Sequence, residues 1–255
     1  MWEYSICVNN SNKDLASFIY LSLKSYIEGL GGVATLYNGG FTSIVIGIDE
    51  LKKHKAQVYI SKVVTKTICS FFKMQFLNEN LSLSVKDEMG MLAFKKALIN
   101  FDKETDFYIV SRNLTFDENL YIESFYNFRL KKLREKWREL IRLANDNKDY
   151  LISSESFYDL LKFLVDNIDI SQDEIDIVED DDGYRIFSGG EEDNIECLTK
   201  EGLVSSVIDI SPQKINLYCK GENSATDVLK KIYEKRVNFK FAKKEDKDLV
   251  TILKF

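Results

Sequence analysis

The residues with most capacity for chemistry gather in one stretch, SFYNFRLKKLREKWRELIR, from Ser124 to Arg142. Seven basic side chains (Arg129, Lys131, Lys132, Arg134, Lys136, Arg138 and Arg142) meet only Glu135 and Glu139 there, in a chain of net charge −6. Clustered Lys and Arg can neutralise phosphates, with an affinity that falls steeply with salt. Arg can also fork onto a carboxylate. Asn127, Arg129, Arg134 and Arg138 are the candidate contact residues. The acidic balance and pI near 5.1 oppose general polyanion binding, so nucleic acid would need this local patch. Ile122, Tyr126, Leu130, Leu133, Trp137, Leu140, Ile141 and Ala144 recur every three or four residues and mark the inward stripe of a helix. A solvated basic face outside that stripe, with an i,i+4 pair between Lys131 and Glu135, accounts for most of the charge and ranks ahead of nucleic acid. A third use is to meet the acidic stretch Asp173 to Asp182, in the chain or on a partner. Phe128 lies off the stripe and is expected to fill a gap against the C-terminal part. Arg129 reads as an interdomain ion-pair residue ahead of a ligand-binding one.

Other residue types offer less. With Gly183 at the sixth position of a calcium loop, DEIDIVEDDDG would put Val178 first and Gly189 twelfth, so the ligand pattern fails at both ends. A charged hairpin with one wet face fits instead. His54, the one histidine, sits in a polar helix start and is expected at the surface. GLGG and YNGG lack the spacing of a P-loop or dinucleotide fingerprint, and no G-x-S-x-G elbow is present. Cys7, Cys69, Cys197 and Cys219 form no CxxC pair and read as buried thiols of a reducing compartment. No catalytic residue, metal ligand or cofactor is assigned.

The elements that must position these residues follow from periodicity. WEYSICV reads as a strand, a helix runs from about Asp14 to Leu30 with Leu15, Phe18, Ile19, Leu23, Tyr26 and Ile27 inward, and residues 33–48 form a hairpin turning at Asn38 to Gly40. A helix from Glu50 to about Leu77 presents Val58, Ile60, Val63, Val64, Ile68, Phe71, Phe72 and Leu77 as one apolar face. Further helices are expected at Lys86 to Phe101, Glu104 to Ser111 (where DFYIV also suits a strand), Asp117 to Asn145, and from Ser153 or Ser154 to Asn167. The chain then turns mixed. A hairpin spans DEIDIVEDDDGYRIFSG with Asp182-Gly183 at its turn, and a short helix lies near Lys200 to Ile208. The strand KINLYC, a helix capped by Ser224 or Thr226, and the strand VNFKFA make a βαβ unit if parallel. LVTILKF ends the chain as a strand. The fold class is α+β: an N-terminal β-α-β-β unit, a central helical region and a C-terminal mixed hairpin/βαβ unit. The corresponding regions are 1–112, 113–168 and 169–255.

A chain of 255 residues with 45% hydrophobic content is long enough to bury a sizeable core, as one large domain or two small ones. FTSIVIGI and VVTKTICSFF fall short of a bilayer span. The first residues lack the layout of a secretory signal, so the cytoplasm is the expected location.

Four segments carry a resemblance when taken in order: SFYNFRLKKLREKWRELIRLA, SSESFYDLLKFLVDN, DEIDIVEDDDGYRIF and VSSVIDISPQKINLY. Their most specific words are Asn127 to Leu130, Leu160 to Val165, and Ser211 to Lys214. Over about Glu123 to Phe241 the chain resembles the YtxC-like sporulation proteins of endospore-forming bacteria. The resemblance implies a cytoplasmic protein associated with sporulation and supplies no catalytic residues. The expected function is a non-enzymatic interaction or regulatory protein with a protein partner. The alternatives are a nucleic-acid-associated protein using the basic helix 124–142 and an enzyme with no recognisable motif.

Overall fold

The computed structural model of the chain describes residues 1–117, 119–188 and 195–241. The last strand expected from the sequence, Leu249 to Phe255, lies outside them. The α+β class holds: an N-terminal β-α-β-β unit, a helix-rich middle and a C-terminal mixed sheet with a βαβ unit. The chain divides into two compact units. The first comprises Met1–Asn80 with Lys103–Leu143, the second Leu81–Asp102 with Ala144–Phe255. The central helices are thus shared between the units.

In the first unit, β1 (Trp2–Val8) pairs antiparallel with β3 (Thr42–Ile48), which pairs antiparallel with β2 (Val33–Asn38). Alternation sends Trp2, Tyr4, Ile6, Val8, Ala34, Ile44, Ile46 and Ile48 to one buried face. Helix α1 (Lys13–Gly29) covers that face with Leu15, Ala16, Ile19, Leu23 and Ile27. Its spacing is the one expected, although Phe18 and Tyr26 point outward. α1 stops in a Schellman turn: Gly32 N–H donates to Ile27 O at 2.9 Å and Gly31 N–H to Glu28 O at 2.8 Å. Gly31 has φ +75°, and a Cβ on Gly32 would lie 2.8 Å from Gly47 O, so the turn into β2 needs both glycines.

The expected helix from Glu50 to Leu77 forms as α2 (Lys53–Thr67), a π-turn (Ile68–Phe72) and α3 (Lys73–Asn80). Ile60, Val64 and Ile68 follow four-residue steps, the next inward step, to Lys73, is five, and Leu77 follows four later. The π-turn absorbs the extra residue. Phe71 is exposed in consequence, and Val58 is exposed as well, which corrects the apolar face drawn from the sequence. α4 (Glu88–Asn100) and α5 (Lys103–Asn113) follow, so DFYIV is helical.

The expected helix from Asp117 is interrupted. β4 (Leu120–Tyr121) pairs parallel with β1 and closes the sheet order β2-β3-β1-β4. A single turn, α6 (Ile122–Ser124), leads into a second π-turn (Phe125–Arg129), and the basic helix proper, α7, is Lys131–Asp146. Glu123 anchors this entry by accepting from Asn9 N–H at 2.9 Å and Asn12 Nδ2 at 3.1 Å. The strand gains backbone partners from β1, which a helix turn there would forgo.

In the second unit, α8 (Ser154–Asp166) starts at Ser153, whose Oγ accepts from Ser156 N–H. The five-stranded order is β7-β6-β5-β8-β9. β5 (Gln172–Glu179) and β6 (Tyr184–Ser188) form the expected hairpin, with Asp180 Oδ1 accepting from Asp182 N–H and Gly183 N–H in the turn. β7 (Ile195–Cys197), not foreseen, extends it. α9 (Lys200–Ile210) leads to β8 (Pro212–Cys219), and α10 (Ser224–Tyr233) joins β8 to β9 (Val237–Phe241) in a parallel βαβ unit. The cap of α10 is Asn223. Its side chain accepts from Ala225 and Thr226 N–H while Thr226 Oγ1 accepts from Asn223 N–H, so Thr226 is the reciprocal member of a capping box. Ile175, Ile177, Ile186, Ile215 and Leu217 are buried and share one face with each other.

Candidate interaction surface

The basic segment is organised from beneath by a buried carboxylate. Asp106 lies four residues before Val110 on the inward stripe of α5, and both are fully buried. Its Oδ2 accepts from Lys73 Nζ at 2.7 Å and Trp137 Nε1 at 2.9 Å, and its Oδ1 from Lys136 Nζ at 2.8 Å. Lys73 is 1% exposed. It reaches this place because the first π-turn hands the inward position to the residue after it, four before Leu77. Burial lowers the pKa of Lys73, against the opposing pull of Asp106. Cys69 lies within the same field. Burial first, then the negative charge of Asp106, pushes its thiol up to about 12, so it keeps its proton and is a poor nucleophile. With both oxygens of Asp106 occupied by donors, what this group does chemically is hold α3, α5 and α7 in register.

Lys136 is therefore not part of the solvated face; it is one of the ligands of Asp106. Lys131 and Glu135 are both exposed, and no ion pair joins them among the described residues. Leu130 just before α7 and Leu133, Trp137, Ile141 and Ala144 within it make the buried stripe. Phe72, Tyr126 and Trp137 form a chain of rings, with centroids 4.7 Å apart for the first pair and 6.1 Å for the second. The two π-turns thus meet through aromatic contact.

The four candidate residues divide into two sets. Arg134 turns back along the helix, donating from Nη2 to Asn127 O at 2.6 Å with its guanidinium 5.5 Å from the centre of the Tyr126 ring. Arg134 and Asn127 are brought together, and their bond satisfies a carbonyl of the second π-turn. Arg129 and Arg138 are exposed. Arg129 lines an open cleft of about 250 Å³ with Asn113, Thr115, Tyr121, Ser124 and Phe128. Phe128, off the inward stripe, points outward and is 71% exposed, so it fills no gap. Tyr121 stands beside it, its ring 5.2 Å from that of Phe41 in an edge-on contact. Three acids of the 173–182 stretch find cations within their own unit: Lys214 for Glu174, Arg185 for Asp180 and Lys220 for Asp181.

No family model, curated protein or solved structure matches the chain. The surface is therefore read from its own chemistry. Sequence reasoning found the basic residues but missed Lys73, Asp106, Tyr121 and the exposure of Phe128. A charge four residues before an apolar core position was the available signal for Lys73 and Asp106. Nothing local distinguishes Tyr121, whose place follows from pairing with Cys7 on β1.

The second unit holds its own polar groups. Tyr158 Oη donates to Asp87 Oδ2 at 2.5 Å, and Lys231 Nζ lies 4.5 Å from the centre of the Tyr158 ring. Burial raises the pKa of Asp87, but hydrogen bonds from Tyr158 and Gly90 N–H outweigh it and hold the carboxyl below its usual range. Burial and Asp87 push the Tyr158 phenol upward. Such a pair fixes the start of α4 and is poorly matched to proton abstraction near neutral pH. His54 is exposed and all four cysteines are buried thiols. Among the described residues no group of three or more His, Cys, Asp or Glu is placed to hold a metal ion, and no helix is long and apolar enough to cross a membrane.

Proposed function

We propose that this chain is a non-enzymatic interaction or regulatory protein of the cytoplasm of sporulating bacterial cells, and that it meets a protein partner through Tyr121, Phe128 and Arg129. The observation that carries the reading is the combination of two exposed aromatic rings and an arginine around one cleft, on a segment tied down by Glu123 and by the bond from Arg134 to Asn127. Tyr, Phe and Arg are enriched where proteins bind one another, and rigid placement lowers the entropic cost of association. The ordered resemblance to YtxC-like proteins supports the sporulation setting.

The test is a photo-crosslinking amino acid at Phe128 in sporulating cells, with Ser25 on α1 as a second exposed site for comparison. A discrete protein adduct formed from Phe128 alone, and lost with Arg129→Ala, is the expected result. Adducts no different between the two sites would refute the reading. Nucleic-acid association is the second reading, favoured by the exposure of Lys131, Lys132, Arg138 and Arg142 on α7. It requires salt-sensitive binding of duplex or single-stranded nucleic acid that Arg138→Glu abolishes.

A further inference from the structure

We infer that the outer edge of β2 pairs antiparallel with the β2 of a second copy of this chain, making one continuous eight-stranded sheet. Four described strands lie at sheet edges: β2 and β4 in the first unit, β7 and β9 in the second. An edge strand offers unpaired backbone N–H and C=O groups, and proteins protect such edges with short length, charge, proline or bulges. β4 has two residues, β7 carries Glu196 and β9 carries Lys240. β2 has none of these protections: VATLYN runs six residues without a charge, a proline or a glycine. Val33 is 59% and Tyr37 65% exposed.

The same strand suits a copy of itself. Opposed residues of an antiparallel pair must lie on the same face, and a twofold axis through Thr35 satisfies this. It sets Val33 against Tyr37 of the second copy and Thr35 against Thr35 on the open face, and Ala34 against Leu36 on the α1 side. Aromatic with β-branched and Thr with Thr are favourable cross-strand pairs. Any charge in β2 would meet a like charge near the axis, and the strand has none. It also carries no ionic group with which to select a different partner. The pairing is independent of the Tyr121–Phe128 surface.

Light scattering of the full chain over a concentration series tests this, comparing wild type with Thr35→Lys. The expected result is a monomer–dimer equilibrium in the micromolar range, as befits a small interface. Thr35→Lys, which sets like charges face to face, should weaken it about tenfold or more. A wild-type chain that stays monomeric at several hundred micromolar overturns the inference, as does a dimer that Thr35→Lys leaves unchanged. Should Thr35→Lys fail to fold, Thr35→Cys decides. Under mild oxidation it should give a disulfide-linked dimer in preference to Ser25→Cys, and equal or no crosslinking at the two positions refutes the pairing.

Discussion

Asp106 ties three helices of the first unit together. Its carboxylate accepts from two lysines and an indole where water does not reach. Removing one member of a buried ionic group leaves the others uncompensated at a cost of about 3–5 kcal/mol. Asp106→Asn should therefore lower the unfolding free energy by about that amount in urea titrations. Lys73→Met should cost less, because Asp106 keeps Lys136 and Trp137 while a desolvated ammonium is removed. Cys69 gives a second, pH-dependent expectation. Its thiol rises from an ordinary value of 9 to about 12 in the fold, so its contribution is complete below pH 9 and declines as pH rises through about 12. Between pH 8 and pH 10.5 that loss is about 2 kcal/mol. Lys73, with its pKa depressed, acts with the opposite sign up to its unfolded value near 10.5. Denaturant titrations of wild type and Cys69→Ala separate the two, since the variant should lack the thiol's decline and keep the lysine's rise.

The elements are specified by their ends as much as by their faces. Asn223 satisfies two N–H groups at the start of α10, and Thr226 completes the exchange. Asn223→Ala should cost about 1 kcal/mol, measurable as a shift in denaturation midpoint, with Ser224→Ala near neutral as the comparison. The two π-turns show how an element departs from its ideal period. Each adds a residue to a helical run, and each changes which side chains face inward: Lys73 goes in as Phe71 goes out, and the inward step from Phe125 runs five residues to Leu130. Arg134 matters as part of that geometry. Arg134→Ala should destabilise the second π-turn and speed amide exchange at Phe125 to Leu130. Arg138→Ala, on the exposed side of the same helix, should leave exchange there unchanged.

For the whole molecule, two compact units imply stabilities that respond locally. Asp106→Asn should accelerate hydrogen exchange in α3, α5 and α7 while β8 and α10 retain wild-type protection. Equal acceleration in both units would show one cooperative body instead. The net charge of −6 sits beside a basic helix whose exposed cations are four on α7 and Arg129 before it. Polyanion affinity of this basic helix should fall steeply as salt approaches physiological strength.

Much of the architecture was legible in the sequence because it rests on short-range rules. Alternation named β1 to β3 and β5, β6, β8 and β9. The 3.6-residue period named α1, α4, α8 and α9, and glycine and asparagine placed the turns. These signals depend only on which face of a local element must leave water. What they could not supply needed partners far along the chain. β4 is two residues long and exists because β1 offers it backbone hydrogen bonds more than a hundred residues away. Lys136 looks in sequence like any other cation of the basic helix, and only the approach of α5 makes it a ligand of Asp106. Phe128 reads as a gap-filling residue by type, yet it stands exposed beside the cleft. The sequence by itself determined the α+β class, the element order and the position of the basic segment. Tertiary structure decided which of those cations are consumed inside and which rings and guanidinium remain outside, because burial and pairing belong to contacts between elements and not to the elements themselves.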